Sequence, residues 1–446
     1  MSFRDKTEFN MLTGDVRRHK NHVTEVGGVE VLRAAAIYGA NGSGKSNLVK
    51  ALHVFMGLFQ QDRTLLNCKY CKNNYWYKLD NEGINKPTCF SIELFIEDVF
   101  YEFGLEFKKS VMTREWLSII NPQNPNLNTW LYTRITSEEG KTDLKVNSEL
   151  YSDEKDVLKI EFIQNELGVP SKLILPSLKG KGFADIDKFI NAPKIVVNDG
   201  SLGGNLQRGK LVNLFHILPY ALKSANEVIA LADIGIKKVG ILEFSIKDYL
   251  GINDIAQIPA IEEKINERGF YDMSKDGNWA IAVKQKDKIK VKSLMFYHSK
   301  REGDLVEFSP SNESEGTLTT LALLFSLVLA RVYGGPIIID EIEKSIHPLL
   351  IKELLKKFMA QDEVKGQLIF TTHNSDLLDL DIFRQDEIWF TEKSKEGATS
   401  IYPLTEYNPR ADLDIRKGYL TGRFGAIPFL GRLDDLNWNK PELQTK

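Results

Sequence analysis

The order of hydrophobic and polar positions predicts a chain that begins and ends in alternating strands and helices. Residues 31–38, 336–339 and 367–371 are short, almost continuously apolar runs that end at polar residues. Such runs are typical of parallel strands that are buried on both faces of a sheet. Longer apolar runs at residues 47–58 and 317–332 predict helices.

Three further runs, residues 89–96, 100–107 and 111–117, alternate apolar with polar residues. This period of two, with short breaks, predicts an antiparallel meander with one buried face. No heptad pattern persists along the chain, so no long coiled-coil arm is predicted. The middle of the chain is heterogeneous, with helical candidates at residues 155–167 and 210–232 and a charged, strand-like stretch at 280–292.

The composition is that of an ordinary globular protein. Of the 446 residues, 42% are hydrophobic and 27% are charged, and the formal net charge is −3. These values exclude a collagenous, repeat-array or intrinsically disordered chain. The near-neutral balance argues against a dedicated nucleic-acid coat but is compatible with a local basic groove.

The three cysteines, Cys68, Cys71 and Cys89, are too few to frame a disulfide scaffold, so a reducing compartment is expected. Cys68 and Cys71 form a lone C-x-x-C that lacks two further ligands for a tetrahedral zinc site. The first residues are polar, and the longest apolar stretch, residues 318–332, contains Arg331 and is too short for a membrane span. A cytoplasmic protein without membrane contact is predicted.

Residues 39–46, GANGSGKS, fit the P-loop pattern G-x-x-x-x-G-K-[ST] between a predicted strand and a predicted helix. Glycines let backbone N–H groups wrap a phosphate at the helix N-terminus. In this pattern Lys45 reaches the β- and γ-phosphates and Ser46 ligates Mg²⁺. The alternative is a glycine-rich turn without a ligand. Residues 204–210 repeat the spacing, but Leu211 follows in place of a hydroxyl, so that segment is interpreted as a loop.

Two acids, Asp340 and Glu341, follow the apolar run 336–339. A buried strand would place them at the carboxyl edge of the sheet, beside the P-loop. There Asp340 would hold Mg²⁺ through water, and Glu341 would polarise the attacking water. An apolar run followed by two acids is common, so this prediction depends on its pairing with the P-loop.

Two weaker motifs complete the set. Ser314 and Gly316 open the predicted helix 317–332, where a helix N-terminus can bind an anion. The alternative for Ser314 is an ordinary N-cap. His373 follows the run 367–371 and could sense a γ-phosphate by hydrogen bonding; the alternative is an ordinary surface or core histidine.

In this order, the four motifs resemble the head of an ABC-type ATPase. DEIEKSIHP at residues 340–348 resembles the D-E-x-x-x-x-[LI]-H-P pattern of the OLD, RecF and SMC-like branch. The segments SFRDKTEFNML, AAAIYGANGSGKSNLVKAL, THNSDLLDLDIFRQDEIWFTEK and KGYLTGRFGAIPF resemble stand-alone AAA/ABC-like ATPases of the RloA and AbiLi type and, more distantly, AriA of PARIS and PtuA of Septu. The resemblance covers residues 1–120 and 293–430.

The resemblance implies an ATPase that uses ATP and Mg²⁺ in a bacterial anti-phage, abortive-infection defence system. It implies a homodimer or higher homo-oligomer that sandwiches ATP between two heads, with Ser314 and Gly316 acting on the P-loop of the other protomer. The implied partner is an effector nuclease of the TOPRIM, RloB-like or HNH type, or a toxin, and the trigger is a phage factor or DNA. The candidate residues are Glu341 and His373 for catalysis, Gly39, Asn41, Gly42, Gly44, Lys45, Ser46, Ser314 and Gly316 for nucleotide binding, and Ser46 and Asp340 for the metal.

Two other functions stay open. An OLD-type nuclease would use the D-x-D of Asp379 and Asp381, although no nuclease-like domain follows it. A DNA-repair or chromosome-associated ATPase of the SMC or RecF type would use lysines at residues 179–181 and 284–292. Steeply salt-dependent DNA binding would favour the second function.

The start of the chain departs from the family pattern. Members normally carry a further strand before the S-F-x-[DE] segment, so the first strand is expected to be shortened or the natural start to lie upstream. Arg17, Arg18, His19 and His22 are expected in the loop that contacts the base in such heads, or in a solvated basic loop.

Lys45 and Asp340 must meet at one nucleotide site although they lie near opposite ends of the chain. The predicted fold is therefore a single α/β P-loop NTPase core of the ABC-ATPase type, with a mixed sheet and an antiparallel meander, split by a largely helical insertion. The predicted boundaries are 1–124 for the lobe with the P-loop and meander, 125–292 for the insertion, and 293–446 for the last lobe. That last lobe holds the signature (Ser314 and Gly316), the Walker B acids (Asp340 and Glu341) and the switch histidine (His373).

Overall fold

The computed structural model describes residues 2–58, 65, 76–80, 82–151, 154–192, 196–198, 208–232, 235–300, 303–332, 334–344, 346–360, 364–410 and 413–427. The strands are β1 Val23–Val26, β2 Val29–Leu32, β3 Ala34–Tyr38, β4 Thr88–Ile96, β5 Val99–Lys108, β6 Val111–Ile120, β7 Thr129–Thr136, β8 Thr142–Val146, β9 Val196–Asn198, β10 Lys238–Ser245, β11 Tyr271–Asp272, β12 Ala280–Gln285, β13 Lys288–Ser299, β14 Leu305–Phe308, β15 Pro336–Ile339, β16 Gln367–Thr372, β17 Ile388–Lys393 and β18 Thr399–Pro403. The α-helices are α1 Lys45–Leu58, α2 Glu154–Phe162, α3 Leu175–Leu178, α4 Ala184–Asn191, α5 Arg208–Ile217, α6 Pro219–Ala232, α7 Ile246–Leu250, α8 Ile258–Arg268, α9 Glu315–Val332, α10 Pro348–Met359 and α11 Ile415–Leu420.

The centre of the fold is a mixed sheet with the strand order β18-β17-β3-β16-β15-β9. The strands β17, β3, β16, β15 and β9 run parallel, and β18 is antiparallel to β17. The predicted parallel strands at 336–339 and 367–371 are therefore confirmed. The run 31–38 was predicted as one strand and is two, because β2 turns away to pair with β1 while β3 enters the central sheet.

Both faces of the central sheet are covered, which explains why its strands are apolar throughout. Ala34, Ala36 and Tyr38 of β3 pack into the core that includes α9 and α10. The alternate residues Ala35 and Ile37 pack on the opposite face, with α1 and β17. Since successive side chains of a strand point to opposite faces, a strand between two cores needs an apolar residue at every position.

The predicted meander is an antiparallel sheet with the strand order β4-β5-β6-β7-β8. Its buried face packs against the end of α1 through Val54 and Phe55, and against α3 and α4 through Leu175 and Phe189. The three alternating runs predicted from the sequence correspond to β4, β5 and β6. The alternation of β7 and β8 was not recognised.

The predicted boundaries of the insertion are wrong. Strands β7 and β8 continue the meander beyond residue 124, and β13 runs without a break across residues 292 and 293. Inside the segment, β9 pairs with β15 of the central sheet. Helices α2–α8 do lie between residues 125 and 292, but the strands tie this segment into the same sheets as both ends of the chain.

The charged stretch 280–292 forms β12 and the start of β13, part of a third sheet with the order β10-β13-β12-β11 and β14 beside β13. One face of this sheet joins the main core together with α5 and α6. The predicted helix 210–232 is divided into α5 and α6, because Pro219 lacks the N–H that would continue the first helix. Within the described residues, no helix has the length and apolarity needed to cross a membrane.

Candidate functional site

The P-loop connects the carboxyl end of β3 to the first residue of α1. Gly44 has a φ of +119°, and a Cβ at this position would lie 2.3 Å from the Thr399 hydroxyl oxygen. Only glycine fits both restrictions. The Gly44 carbonyl accepts hydrogen bonds from the amides of Asn47 and Leu48, which start the helix. Asn41 and Gly42 are exposed at the tip of the loop.

The Lys45 side chain lies inside this loop. Its ammonium donates hydrogen bonds to the carbonyls of Gly39, at 2.5 Å, and Ala40, at 3.2 Å. A bound phosphate would offer oxygens in their place. Ser46, the candidate metal ligand, is half-buried in the first turn of α1.

Hydroxyl groups from distant parts of the chain hold the P-loop. Thr391 Oγ1 of β17 lies 2.7 Å from Ser43 Oγ, and Thr399 Oγ1 of β18 donates to the Ser43 carbonyl at 2.8 Å. Thr399 Oγ1 is also 2.7 Å from Ser2 Oγ, which accepts a hydrogen bond from the Asn47 amide group at 2.8 Å. The start of the chain and the β17–β18 hairpin therefore fix the loop from two sides.

Asp340 and Glu341 follow β15, at the same edge of the sheet as the P-loop. The Thr371 hydroxyl donates to Asp340 Oδ1 at 2.5 Å and accepts from the Glu341 amide at 2.8 Å. Glu341 has a φ of +52°, which is rare for a residue with a side chain and is a strain typical of functional positions. Asp340 is nearly buried, whereas Glu341 is exposed. At the end of β15, therefore, a hydrogen bond holds the Asp340 carboxylate, whereas the Glu341 side chain is exposed.

His373 follows β16, the strand between β3 and β15. Its amide donates to Glu343 Oε1 at 2.7 Å, and its ring Nδ1 lies 2.9 Å from the same oxygen. Burial lowers the pKa of Lys45, and the charges of Glu343, Asp340 and Glu341 oppose that decrease. The structure therefore brings the predicted P-loop, the two acids and the histidine to one edge of the central sheet.

Comparison with protein families places these motifs in one domain. A family model described as "AAA domain, putative AbiEii toxin, Type IV TA system" matches residues 34–156 and 220–381, which together are more than half of the chain. The chain belongs to this AAA-domain family.

Comparison with solved structures returns SMC heads. A crystal structure of an SMC head bound to the C-terminal winged-helix domain of ScpA is 12% identical; the match covers 84% of this chain and 92% of that chain, with a TM-score of 0.37. The SMC head of Thermotoga maritima is also 12% identical with the same coverage, at a TM-score of 0.28. An SMC head of Pyrococcus furiosus with an extended coiled coil is 15% identical. The match covers 89% of this chain and 94% of that chain, with a TM-score of 0.32. No curated protein matches the chain.

The AAA-domain family consists of P-loop NTPases that hydrolyse nucleotides with a divalent metal. The residues of this chain fit such a ligand. Gly44 leaves room where any side chain would collide, Lys45 supplies a cation in the loop, and Asp340 supplies a carboxylate that Thr371 holds at the same edge. Oxygen ligands of this kind suit Mg²⁺. When bound, the metal would neutralise phosphate charge, while Glu341 would orient water and take its proton.

Ser314 and Gly316 lie at the start of α9. Ser314 Oγ accepts from the Thr317 amide at 3.1 Å, so Ser314 is the N-cap of α9, as the simpler alternative required. Both residues are at least partly exposed. In the described part of the chain, no hydrogen bond joins either of them to the P-loop or to the two acids.

The expected base-contacting loop lies elsewhere. His22 is buried at the amino end of β3, with Nδ1 3.1 Å from the Glu387 carboxylate, and His19 contacts the Leu380 carbonyl at 2.7 Å. The P-loop follows the opposite end of β3, so the expected base contact is wrong for His19 and His22, whereas Arg17 and Arg18 are exposed, as the alternative of a solvated basic loop requires. Burial lowers the pKa of His22 to about 4, with Arg384 adding to the decrease. His19 and His22 therefore make their contacts at the edge of the sheet opposite to the P-loop.

Of the three cysteines, the structure describes Cys89 alone. Cys68 and Cys71, like residues 204–207 of the second glycine-rich segment, lie outside the described residues. Cys89 is exposed on β4. Among the residues that the structure describes, no group of three or more His, Cys, Asp or Glu side chains is arranged to hold a metal ion.

Sequence reasoning missed Thr371, Thr391, Thr399, Ser2 and Glu343. Thr371 ends the predicted apolar run 367–371 and Glu343 stands inside DEIE, residues 340–343, so their positions were visible but their contacts were not. The contacts of Thr391, Thr399 and Ser2 depend on which strands become neighbours, and no local signal marks them.

A Thr371→Val variant tests the hydroxyl that orients both acids. Valine has a similar shape but cannot donate to Asp340 or accept from the Glu341 amide. Since a hydrogen bond to a charged group contributes about 1.5–3 kcal/mol, we expect kcat for ATP hydrolysis to fall about 10- to 100-fold. The measurement is steady-state phosphate release. Thr136→Val, an equally buried change in the meander, is the control, and equal rates for both variants would contradict the role of Thr371.

Proposed function

We propose that this protein is an ATP-binding and ATP-hydrolysing regulatory subunit of a bacterial anti-phage defence system of the abortive-infection type. In this proposal the chain senses infection and controls a partner effector, a nuclease or toxin. ATP binding closes two copies of the head on each other, and hydrolysis at Glu341 opens them. The RloA and AbiLi type of ATPase is the branch whose motifs this chain resembles.

The observation that carries the catalytic part is the convergence of Lys45, Asp340 and Glu341 at one edge of the central sheet. A phosphate-binding loop, a held carboxylate and an exposed carboxylate are the parts that phosphoryl transfer to water requires. The defence part is supported by the family description, which names the AbiEii toxin of a toxin–antitoxin system.

The proposal of a head-to-head dimer is supported by the position of α9. Ser314 and Gly316 begin this 18-residue helix at an accessible surface, where the backbone N–H groups of the first turn can face an anion. They do not bond to their own P-loop in the described structure, which fits a role on the nucleotide of a second copy.

The alternative functions are less well supported. Lys284 pairs with Glu262, and Lys290 and Lys292 both contact Glu243, so these lysines are partly neutralised within the protein. A DNA-bound SMC-like or RecF-like ATPase remains the second proposal, and DNA binding that weakens steeply with salt would favour it.

The nuclease alternative is weakened by the contacts of its two aspartates. Asp379 accepts from Lys352 at 2.8 Å and from the Asp381 amide at 2.9 Å. Burial raises the pKa of Asp379, but the hydrogen bonds from Lys352 and Asp381 outweigh it and lower the pKa overall. The Asp379 carboxylate therefore already has structural partners, Lys352 and the Asp381 amide, in place of a metal ion.

A Lys45→Ala variant tests nucleotide binding. Because the lysine supplies a cation inside the phosphate loop, its loss should weaken ATP binding about 10- to 100-fold, the effect of a charged hydrogen bond of about 1.5–3 kcal/mol. The measurement is titration calorimetry with ATP and Mg²⁺. Lys50→Ala, an exposed lysine of the same helix, is the matched control and should bind as the wild type does.

The same pair of variants tests the defence role. In cells that carry the gene with its neighbouring genes, Lys45→Ala should restore phage plating to the level of cells without the genes, whereas Lys50→Ala should still protect. Normal protection by a Lys45→Ala protein that has lost ATP binding would refute the regulatory role and leave the ATPase assignment intact.

A further inference from the structure

Glu343 is the one carboxylate of the DEIE motif without a role in the site described above. Its side chain is 9% exposed. Glu343 lies two residues after Glu341, and its side chain points toward the end of β16. There Oε1 accepts a hydrogen bond from the His373 amide at 2.7 Å. Glu343 therefore connects the segment that follows β15 to His373, which follows β16.

The contact with His373 involves both backbone and ring. Glu343 Oε1 lies 2.9 Å from ring Nδ1 as well as 2.7 Å from the backbone amide. Two contacts to one oxygen restrict both the position of the residue and the rotation of its ring. A carboxylate beside Nδ1 favours the proton on that nitrogen, which leaves Nε2 as the nitrogen facing away. The ring is 54% exposed, so Nε2 is accessible to a ligand.

The second oxygen of Glu343 is buried and has no hydrogen-bond partner among the described residues. An unpaired buried polar atom costs about 1–3 kcal/mol, a cost that natural proteins concentrate at functional sites. The charge of Glu343 also reaches the phosphate loop, because it opposes the burial-driven decrease in the pKa of Lys45 more strongly than Asp340 or Glu341 does. Glu343 therefore contacts the switch histidine, His373, and its charge also acts on the P-loop lysine.

We propose that Glu343 is a positioning residue that holds the His373 ring with Nδ1 protonated and Nε2 directed to the γ-phosphate of bound ATP. This inference rests on the proposed ATPase function. Glu343 itself does not touch the reacting atoms in this proposal; it acts through His373. Glu341 remains the group that receives the proton of the attacking water.

The kinetic test compares Glu343→Ala, His373→Ala and the double variant. If Glu343 acts through His373, each single change should lower kcat about 10-fold, the double variant should be no slower than the slower single one, and the affinity for ATP should stay within about twofold of the wild type. Glu343→Gln keeps an acceptor oxygen and should retain more than half of kcat. Glu353→Ala, an exposed change on α10 whose ion pair is with Lys356, is the control. Additive losses, or loss of ATP affinity, would overturn the proposal.

A second measurement does not depend on hydrolysis. With ring-¹⁵N histidine, the seven histidines give separate signals, and the signal missing from His373→Ala identifies His373. In the wild type this signal should show protonated Nδ1, and in Glu343→Ala it should move to the mixed tautomers of a free ring. An unchanged tautomer in Glu343→Ala would overturn the proposal. A changed tautomer in a chain that does not hydrolyse ATP would refute the proposed function and leave the positioning role standing.

Discussion

A Glu341→Gln variant is expected to hydrolyse ATP about 100 to 10,000 times more slowly than the wild-type chain, the range that general-base catalysis contributes. Glutamine keeps the size of the side chain but cannot take a proton from water. The exposed Glu341 stands on a backbone with a φ of +52°, and its amide is held by Thr371, so the substitution should leave the site assembled. The measurement is phosphate release in a single turnover.

The same variant should accumulate the ATP-bound state. If ATP closes two heads, Glu341→Gln should elute as a dimer or larger species with ATP and Mg²⁺ and as a smaller species with ADP. Glu353→Gln, an exposed glutamate on α10, is the control for the change of charge. A hydrolysis rate near that of the wild type would show that another group receives the proton, and a monomer with tightly bound ATP would contradict the dimer.

Glu115→Ala is expected to lower the free energy of unfolding by about 3–5 kcal/mol, because it leaves a buried cation without its partner. Glu115 and Arg134 are both fully buried on the meander, with Oε2 and Nη1 3.5 Å apart. The same carboxylate accepts hydrogen bonds from Tyr132 at 2.8 Å and from the amides of Ile174 and Leu175 at 2.9 Å. Its removal would therefore leave several buried donors without an acceptor.

This carboxylate also joins distant parts of the chain. Arg134 donates to the carbonyls of Val169 and Lys172, so Glu115 and Arg134 together hold the segment before α3 against β6 and β7. The measurements are urea unfolding followed by circular dichroism and hydrogen exchange of peptides that contain residues 169–175, which should exchange faster in Glu115→Ala. Asp143→Ala, which breaks the exposed pair with Lys145 on the same sheet, should cost less than about 1 kcal/mol. Equal effects of the two variants would contradict this account.

Much of the candidate site could be predicted because its signals are local. Glycine spacing reveals the turn at Gly44, since only glycine tolerates its φ of +119°. Continuous apolar runs reveal β15 and β16 because both faces of the central sheet are covered. The polar residues at their ends, Asp340 and His373, follow from the same runs.

Other predictions failed where the outcome depended on which elements become neighbours. His22 was expected near the base and lies at the opposite edge of the sheet, because its buried partner Glu387 immediately precedes β17, and β17 pairs with β3. The boundaries of the insertion failed for a similar reason. The alternation of β7 and β8 gains meaning only when β6 provides a strand for β7 to pair with.

By itself, the sequence determined the identity and order of the chemical groups, which are the phosphate loop, the two acids and the histidine. Each of them could be recognised from the residues next to it in the chain. The tertiary structure alone decided how those groups are held. Thr399 reaches the P-loop across 356 positions of sequence, and Thr371 reaches Asp340 and Glu341 from the neighbouring strand. A hydrogen bond requires two groups to be close and aligned in space, not close in the sequence. The partners of a site are therefore selected by the order β18-β17-β3-β16-β15 of the central sheet, which packing of both its faces establishes.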